Sequence, residues 1–393
     1  MSARNSKIRV SREKLITLPF ALIVASGLAY FIALAMLNPV FGPYVKDRLG
    51  LDDSAVGVSF GFFAAGAIIL RPIIGRVGDT IGRRPLLIGG AISVAAATAS
   101  YGAFDTFGWF LAMRAAAGLG EAAFFVGAAT MITDRAPADR RGEALSYWSI
   151  AVYGGLSLGP VLGEVLLGGR KERFILCWVV AAGISAIAAT IGLFVSEVDD
   201  RPPPPAKGGA LLHRSALGPG LVLFLGFVSL AGWSGFVKLY ARDDLGIENV
   251  GAVFFIYGAI VLGIRVVGAT LPDRLGPIVA GTFALGFGSA GIALVVILHS
   301  AVGLYLGTAV FAIGQSLAYP ALLVLALSGV NDSERASVVG TFSAAFDLAM
   351  GLGGFICGVI AESFGYRWMF GTSAVLAIVG ITYLRSAPGL RRS

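Results

Sequence analysis

Four ionisable side chains interrupt stretches that are otherwise apolar, and their types suit proton or cation binding. Arg114 and Glu121 are seven residues apart in one stretch, and in a helix this spacing places both on nearly the same face. Asp347 and Glu164 stand in two further apolar stretches. Apolar surroundings disfavour the charged form of a carboxyl group, so such a group can take up and release a proton near neutral pH.

Each of these residues also has a structural interpretation. Arg114 and Glu121 could form a permanent ion pair that fixes one helix, and Asp347 is equally suited to a structural pairing. Glu164 is either a second titrating group or a residue at the end of a helix. We expect Glu121 to carry the proton, Arg114 to modulate it, and Asp347 to be the second candidate.

The elements that must position these groups are apolar and long. The chain is 56% hydrophobic and only 13% charged, against about 25% charged in soluble domains, and its mean hydropathy is +0.83. A bilayer-spanning helix needs about 20 apolar residues. Segments of that kind lie near 18–44, 55–75, 86–104, 108–132, 143–167, 173–195, 219–240, 250–271, 277–298, 301–327, 336–360 and 366–384. The sequence therefore predicts an all-α integral membrane protein of twelve spanning helices.

The twelve segments form two sets of six. A polar, proline-rich stretch separates them, which is typical of a linker, so we predict an N-terminal half at 1–195, a cytoplasmic linker at 196–217 and a C-terminal half at 218–393. A shift of 194 residues pairs the two sets without a gap from the second segment of each onward. It superimposes Arg71 on Arg265, Asp79 on Asp273, Gly82 on Gly276, Gly120 on Gly314 and Glu121 on Gln315. This repeat predicts two halves related by an axis along the membrane normal.

The charge pattern predicts topology and argues against other partners. Lys and Arg are more frequent at the ends that share a side with both termini, which predicts cytoplasmic termini in the cell membrane. The net charge of +7 comes from scattered residues, so we do not expect nucleic acid as a partner. Cys177 and Cys357 are far apart, without the spacing of a metal, cofactor or disulfide site. The first apolar segment lacks a small-residue cleavage site, which indicates a retained helix.

The loop predicted after the second segment carries the most specific motif. It reads G-R-V-G-D-T-I-G-R-R from Gly75 to Arg84, with Asp79, Gly82 and Arg83 at fixed spacing. This spacing resembles the signature loop of the major facilitator superfamily, in which the loop latches the two halves in one access state. The resemblance implies a gating role for Asp79 and its arginines. The second copy keeps Asp273 and Gly276 but has Pro277 in place of an arginine, and we expect gating or seam pairing from Arg71 and Arg265.

Two further elements resemble the same superfamily. The stretch around Arg114, Gly118 and Gly120 is similar to the family's R-x-x-x-G-x-G element. The fifth segment has a G-x-x-x-G-P-x-x-G pattern, formed by Gly155, Gly159, Pro160 and Gly163, which resembles the element typical of antiporters, especially drug exporters. Small residues four apart let helices touch, and a helical proline favours bending. Simple helix packing is the alternative interpretation.

Polar and aromatic side chains on other segments are candidates for solute contact. They suit a large, partly apolar solute, although each is also suited to packing. The candidates are Tyr30, Asn38, Trp233, Tyr257, Gln315 and Tyr319.

These features together favour a secondary active transporter. We expect proton-coupled export of small organic compounds or drugs by alternating access, from a single chain that acts as a monomer. A proton symporter for uptake of a sugar, an organic acid or another metabolite is the alternative. We do not expect an enzyme, because His213 and His299 lack catalytic neighbours in sequence, and no G-x-x-x-x-G-K-[ST] loop for ATP is present.

Overall fold

The backbone polar groups of a chain in lipid must be satisfied within the chain, and a helix achieves this locally. The computed structural model describes residues 15–137, 140–168, 173–197, 212–267, 275–331 and 334–387, without the side chains of 70–72, 75, 76, 79, 141, 142, 266 and 336. These residues form helices and connecting turns, with no strand among them. Twelve long helices result, as predicted: α1 Leu18–Arg48, α2 Asp53–Ile81, α3 Arg83–Ala99, α4 Phe107–Arg135, α5 Arg141–Leu167, α6 Phe174–Leu193, α7 Arg214–Asp243, α8 Gly251–Val267, α9 Pro277–Leu298, α10 Ala301–Leu327, α11 Arg335–Phe364 and α12 Tyr366–Ser386.

Nine of these helices are long and apolar enough to cross a membrane within the part of the chain that the structure describes. The apolar parts of α2 and α8 are shorter, at Asp53–Ile69 and Gly251–Arg265. Helix α1 is interrupted after Ala35 and continues as a short helix, Asn38–Pro43, and a π-helical turn, Tyr44–Arg48. The interruption coincides with Pro39 and Pro43, which lack the backbone donor that a regular helix uses.

Helix α2 is longer than predicted and includes most of the signature motif. Gly75 and Asp79 were expected in a loop, but their backbone is helical and α2 ends only at Ile81. Gly82 stops the helix, since its φ of 105° suits glycine and few other residues. Gly276, its repeat partner, has a φ of 78° and precedes α9. The repeat therefore preserves a backbone conformation.

The helices pack in the same order in both halves. In the first half α1 packs on α5 and α6, α2 on α4, and α3 on α4 and α6. In the second half α7 packs on α11 and α12, α8 on α10, and α9 on α10 and α12. The halves meet where α2 packs on α11 and α5 on α8, and the short helix of α1 also packs on α7. This is a twelve-helix fold of two pseudo-symmetric halves.

The two ends of the bundle have different connections. We call the end at which α1 begins and α12 ends the linker end, and the opposite end the distal end. At the linker end α6 stops at Leu193 and α7 starts at Arg214. Most of the predicted linker, 198–211, lies outside the described residues, and the boundaries at 195 and 218 stay predictions.

The glycine stripe of α5 lies against α1. A Cβ atom placed on Gly159 would lie 2.7 Å from the Ile32 oxygen, and one on Gly155 would lie 2.5 Å from the Phe31 Cβ. A Cβ atom placed on Gly163 would lie closer still to the Met36 carbonyl oxygen. The spacing of four thus allows backbone contact between α1 and α5 within one half, as expected for small residues in membranes.

Candidate functional site

The seam between the halves closes at the distal end through glycines. A Cβ atom placed on Gly358 of α11 would lie 2.6 Å from the Asp53 oxygen of α2 and 3.0 Å from the Gly57 Cα. One placed on Gly57 would lie 2.5 Å from the Gly354 oxygen. Backbones in such contact leave no path between α2 and α11 at this level.

A group of charged residues covers this contact, and we call Lys46, Asp53, Asp243 and Tyr366 the distal cluster. The Lys46 Nζ lies 3.0 Å from both carboxylate oxygens of Asp53 and 3.6 Å from Asp243. The Tyr366 hydroxyl donates to Asp53 at 2.9 Å and to Asp243 at 3.2 Å. Arg242 adds an ion pair to Asp47 at 2.6 Å. The pairs of Lys46 with Asp243, Tyr366 with Asp53 and Arg242 with Asp47 join one half to the other, whereas Lys46 with Asp53 and Tyr366 with Asp243 are contacts within one half.

A second, buried ion pair joins the halves beside α8, and we call Glu164 and Lys238 the buried clasp. Their atoms Oε1 and Nζ are 2.5 Å apart, and the two side chains are 1% and 5% exposed. Glu164 also accepts the Val250 N–H at 3.0 Å, while Lys238 donates to the Glu248 carbonyl at 2.7 Å. Glu164 therefore lies at a helix end, as one interpretation held, but with a cationic partner from the other half.

Lys238 was not among the predicted residues, although the sequence contained a signal for it. It is a lone lysine in the apolar run Phe236 to Tyr240. A charge in such a run needs a partner or a cavity. A search for an oppositely charged residue at the same depth would have suggested Glu164.

A cavity of about 310 Å³ lies between the halves, on the linker side of these closures. Glu121 of α4 and Asp347 of α11 both line it, one carboxyl group from each half. Most of the remaining lining is apolar or aromatic, including Phe31, Phe63, Phe125, Trp148, Phe227 and Phe346. The volume is at the lower end of the range of small-molecule sites.

Arg114 reaches the same cavity from within an aromatic cage. Its guanidinium carbon lies 4.2 Å from the ring centre of Phe41, 4.6 Å from Phe63 and 5.5 Å from Phe60. Its Nε donates to the Ser59 carbonyl at 3.1 Å. Cation–π contacts of this kind compensate in part for the removal of the charge from water.

Four of the six predicted solute-contact residues line the cavity, namely Asn38, Tyr257, Gln315 and Tyr319. Gln315, the repeat partner of Glu121, donates to the Ser229 hydroxyl at 3.5 Å, and its buried Oε1 accepts no hydrogen bond from the described residues. The Tyr319 hydroxyl lies 3.3 Å from that of Ser343. These groups give the cavity several points of polar contact.

The other two residues of that set pack behind the wall. Tyr30 stacks on Phe124 with ring centres 3.8 Å apart, on the face of α1 that meets α4. Trp233 stacks on Tyr257 at 4.4 Å, and its indole N–H donates to Thr308 at 3.3 Å. Tyr30 and Trp233 are therefore not part of the lining and support it from the core.

Arg265 lies at the seam between α8 and α5. Its guanidinium carbon is 3.5 Å from the ring centre of Tyr153, which lines the cavity. Arg265 of the second half thus contacts an aromatic ring of the first half, and its role in gating or seam pairing stays a prediction.

The signature motif is described only in part. The side chains of Arg71 and Asp79, and all of Asp273, lie outside the described residues, as does the side-chain environment of Gly75. At the end of the motif, the Glu197 carboxylate accepts hydrogen bonds from the backbone N–H groups of Arg83 and Arg84, at 3.2 and 3.1 Å. This caps the N-terminus of α3, where a carboxylate is favoured by the helix dipole.

Comparison with known proteins identifies the family. The family model described as "Major Facilitator Superfamily" matches residues 23–353. The chain belongs to the major facilitator superfamily. This superfamily member is a multi-pass membrane transporter of a small-molecule substrate.

Two relatives and three solved structures cover nearly all of this superfamily member. An uncharacterized MFS-type transporter of Salmonella typhimurium is 28% identical over 86% of this chain and 88% of its own, and one of Burkholderia mallei is 25% identical over 93% and 91%. A bacterial homologue of the human lysosomal transporter Spinster, in an inward-facing and occupied conformation, has a TM-score of 0.77 at 18% identity over 93% and 95%. The human organic anion transporter MFSD10 has a TM-score of 0.70 at 20% identity, over 93% of this chain and 99% of its own. The nucleoside transporter NupG has a TM-score of 0.72 at 15% identity, over 94% of this chain and 99% of its own. The structural likenesses establish the fold.

Proposed function

We propose that this transporter exports small organic compounds from the cell in exchange for protons, by alternating access. The observation that carries this proposal is the cavity between the halves, to which α4 brings Glu121 and α11 brings Asp347. A carboxyl group on each side of a solute site can bind either a proton or the solute, because the two compete for the same oxygen atoms. That competition is the basis of exchange.

The closures define how the cavity would be reached. The distal cluster, through Lys46 with Asp243 and Tyr366 with Asp53, and the buried clasp join the halves on one side of the cavity. The solute path in this conformation would therefore lead toward the linker end. With the termini in the cytoplasm, as the Lys and Arg distribution predicts, this is the inward-facing state. Rocking of the halves would break both closures and expose the cavity outside.

The remaining predicted residues take supporting roles in the same cycle. Arg114 and Glu121 both line the cavity, and we keep for Arg114 the predicted role of modulating the carboxyl group. The stripe formed by Gly155, Gly159 and Gly163, with Pro160 beside it, supports bending of α5 against α1. For the motif residues Gly75, Asp79, Gly82, Arg83 and Arg84 we keep the predicted gating role at the linker end.

The lining suits an aromatic or amphipathic solute. Aromatic rings dominate the wall, and a few polar groups stand among them. Such walls supply apolar contact area, while the polar groups fix orientation.

The test is proton release from purified transporter in weakly buffered detergent when dyes, antibiotics, sugars and organic acids are added. We expect at least one class of compound to release protons from the wild type. Glu121→Gln should abolish the release and Asp347→Asn should reduce it, because an amide has no proton to give up. Asp105→Asn is the matched control, since Asp105 is 52% exposed and pairs with Arg48 outside the cavity; it should behave as the wild type.

The direction of transport is measured in proteoliposomes with an imposed pH gradient. Antiport predicts that the solute moves against the proton flow. Movement of both in the same direction would establish uptake by symport instead, and release that survives both substitutions would exclude these carboxyl groups as the coupling sites.

A further inference from the structure

Three polar side chains of the second half meet at one place in the cavity wall, and we call Tyr319, Ser343 and Asp347 the polar triad. All three line the cavity and are partly exposed there. Ser343 and Asp347 are four residues apart on α11 and share one helix face. The Tyr319 hydroxyl of α10 lies 3.3 Å from that of Ser343. A pair of hydroxyl groups therefore stands about one helical turn from a carboxyl group.

The Tyr319 ring is held in place from two sides. Its centre lies 5.2 Å from that of Phe342 and 6.0 Å from that of Phe346, and both contacts are edge-on. Phe342 is fully buried, so it belongs to the core of the second half. A hydroxyl group on a fixed ring is preorganised for binding, because little side-chain freedom remains to be lost.

The first half contributes an aromatic wall to the same cavity. Phe31 of α1, Phe125 of α4 and Trp148 of α5 line it, and their ring centres are 6.0 to 6.4 Å apart. Rings in such a cluster offer a large apolar area to a further aromatic ring. The cavity thus combines an aromatic wall from one half with the polar triad from the other.

An ammonium group that carries N–H donors matches the polar triad. The Asp347 carboxylate attracts the positive charge, and N–H donors from a cation form strong, charge-assisted hydrogen bonds with oxygen acceptors. Each hydroxyl oxygen has two lone pairs, so the contact between Tyr319 and Ser343 leaves acceptor capacity for a ligand. A primary ammonium group has three donors, whereas a quaternary ammonium group has none. The two hydroxyl groups therefore favour the former.

We infer that the polar triad binds the ammonium group of an aromatic amine, whose ring packs against the aromatic wall of the first half. The inference rests on the proposed function and narrows its solute to amines that carry N–H groups. Tyr319 and Ser343 are the residues that distinguish such an amine from a quaternary ammonium compound. The ammonium group and a proton are alternatives at the Asp347 carboxylate, as exchange requires.

The test is equilibrium dialysis of radiolabelled 2-naphthylmethylamine against the full-length transporter in dodecyl maltoside near neutral pH, where this amine is protonated. Its N,N,N-trimethyl derivative is the matched ligand, because it keeps the ring and the charge but has no N–H group. We expect the wild type to bind the amine at least roughly 10-fold more tightly than the derivative, since hydrogen bonds to charged groups have effects of this size.

Substitutions in the polar triad should separate charge from hydrogen bonding. Ser343→Ala and Tyr319→Phe should each weaken amine binding by roughly 10-fold and leave binding of the trimethyl derivative unchanged. Asp347→Asn should weaken the binding of both ligands, because both are cations. Ser328→Ala is the matched control, since the Ser328 hydroxyl donates to the Val324 carbonyl at 2.9 Å, away from the cavity; it should bind both ligands as the wild type does.

Four results would overturn the inference. The first is binding of the trimethyl derivative as tight as that of the amine, and the second is no amine binding at millimolar concentration. The third is an equal loss for both ligands in Ser343→Ala and Tyr319→Phe, which a purely structural role of the hydroxyl groups would produce. The fourth is unchanged amine binding in Asp347→Asn.

Proton release recorded in the same titration separates this inference from the proposed function. Amine binding that depends on Ser343 and Tyr319 but releases no protons would reject antiport and keep the amine site. Proton release by compounds without an amino group, from a transporter that does not bind the amine, would reject the amine site and keep antiport.

Discussion

Replacement of Lys238 by methionine is expected to lower the free energy of unfolding by about 3 to 5 kcal/mol, the usual cost of removing one partner from a buried ion pair. Glu164 would be left without its cationic partner in a position that is 1% exposed. The Val250 N–H, which donates to it at 3.0 Å, is too little to compensate for a desolvated carboxylate. The measurement is titration of mixed micelles with dodecyl sulfate, with helicity as the signal.

The double variant Glu164→Gln/Lys238→Met tests the mechanism. It removes both charges and keeps an acceptor for Val250, so it should recover most of the stability lost in the single variant. Arg48→Met at the exposed pair with Asp105 is the matched control and should cost less than about 1 kcal/mol. A double variant as unstable as Lys238→Met would mean that packing, and not charge, is responsible.

Gly358→Val is expected to remove most of the transport activity. The added atoms would meet the Asp53 oxygen and the Gly57 Cα, and backbone atoms cannot move aside without separating α2 from α11. Overpacking of this kind costs about 1 to 3 kcal/mol, and here it acts only on the conformation that is closed at the distal end. A shift of that size would leave the distal-closed state poorly populated, and turnover requires both states.

Solute flux in proteoliposomes measures this effect, and hydrogen exchange at the distal ends of α2 and α11 reports the separation. Gly340→Val is the matched control, because Gly340 lies on the same helix with nothing within 4 Å of an added Cβ. It carries the same change in helix propensity without the contact. Equal loss of flux in both variants would trace the effect to the helix and not to the seam.

The sequence was sufficient to predict the twelve helices, because an apolar stretch of this length in a bilayer has few conformations available other than a spanning helix. Its 194-residue repeat aligns Gly82 with Gly276, and the structure gives both a positive φ. The true end of α2 was missed, since the low helix propensity of Gly75 and Gly78 is a weak signal that does not by itself end a helix.

The cavity was predictable only in part, for a physical reason. A helix that is apolar on every side carries no periodic signal to separate its lipid, core and cavity faces. Tyr257 and Tyr319 therefore reach the cavity, while Tyr30 and Trp233 do not. Lys238 and the distal cluster depend on contacts between residues far apart in sequence, such as Lys46 with Tyr366 at 2.9 Å.

The distal cluster and the buried clasp differ in their contact with solvent, and this gives them different responses to ionic strength. Lys46 and Asp243 are 24% and 31% exposed, so dissolved ions screen their attraction, over a Debye length of about 8 Å at physiological salt. Glu164 and Lys238 are sheltered from those ions. Added salt therefore weakens one of the two attachments between the halves and leaves the other intact, which makes the ease of distal opening a property of the medium as well as of the protein.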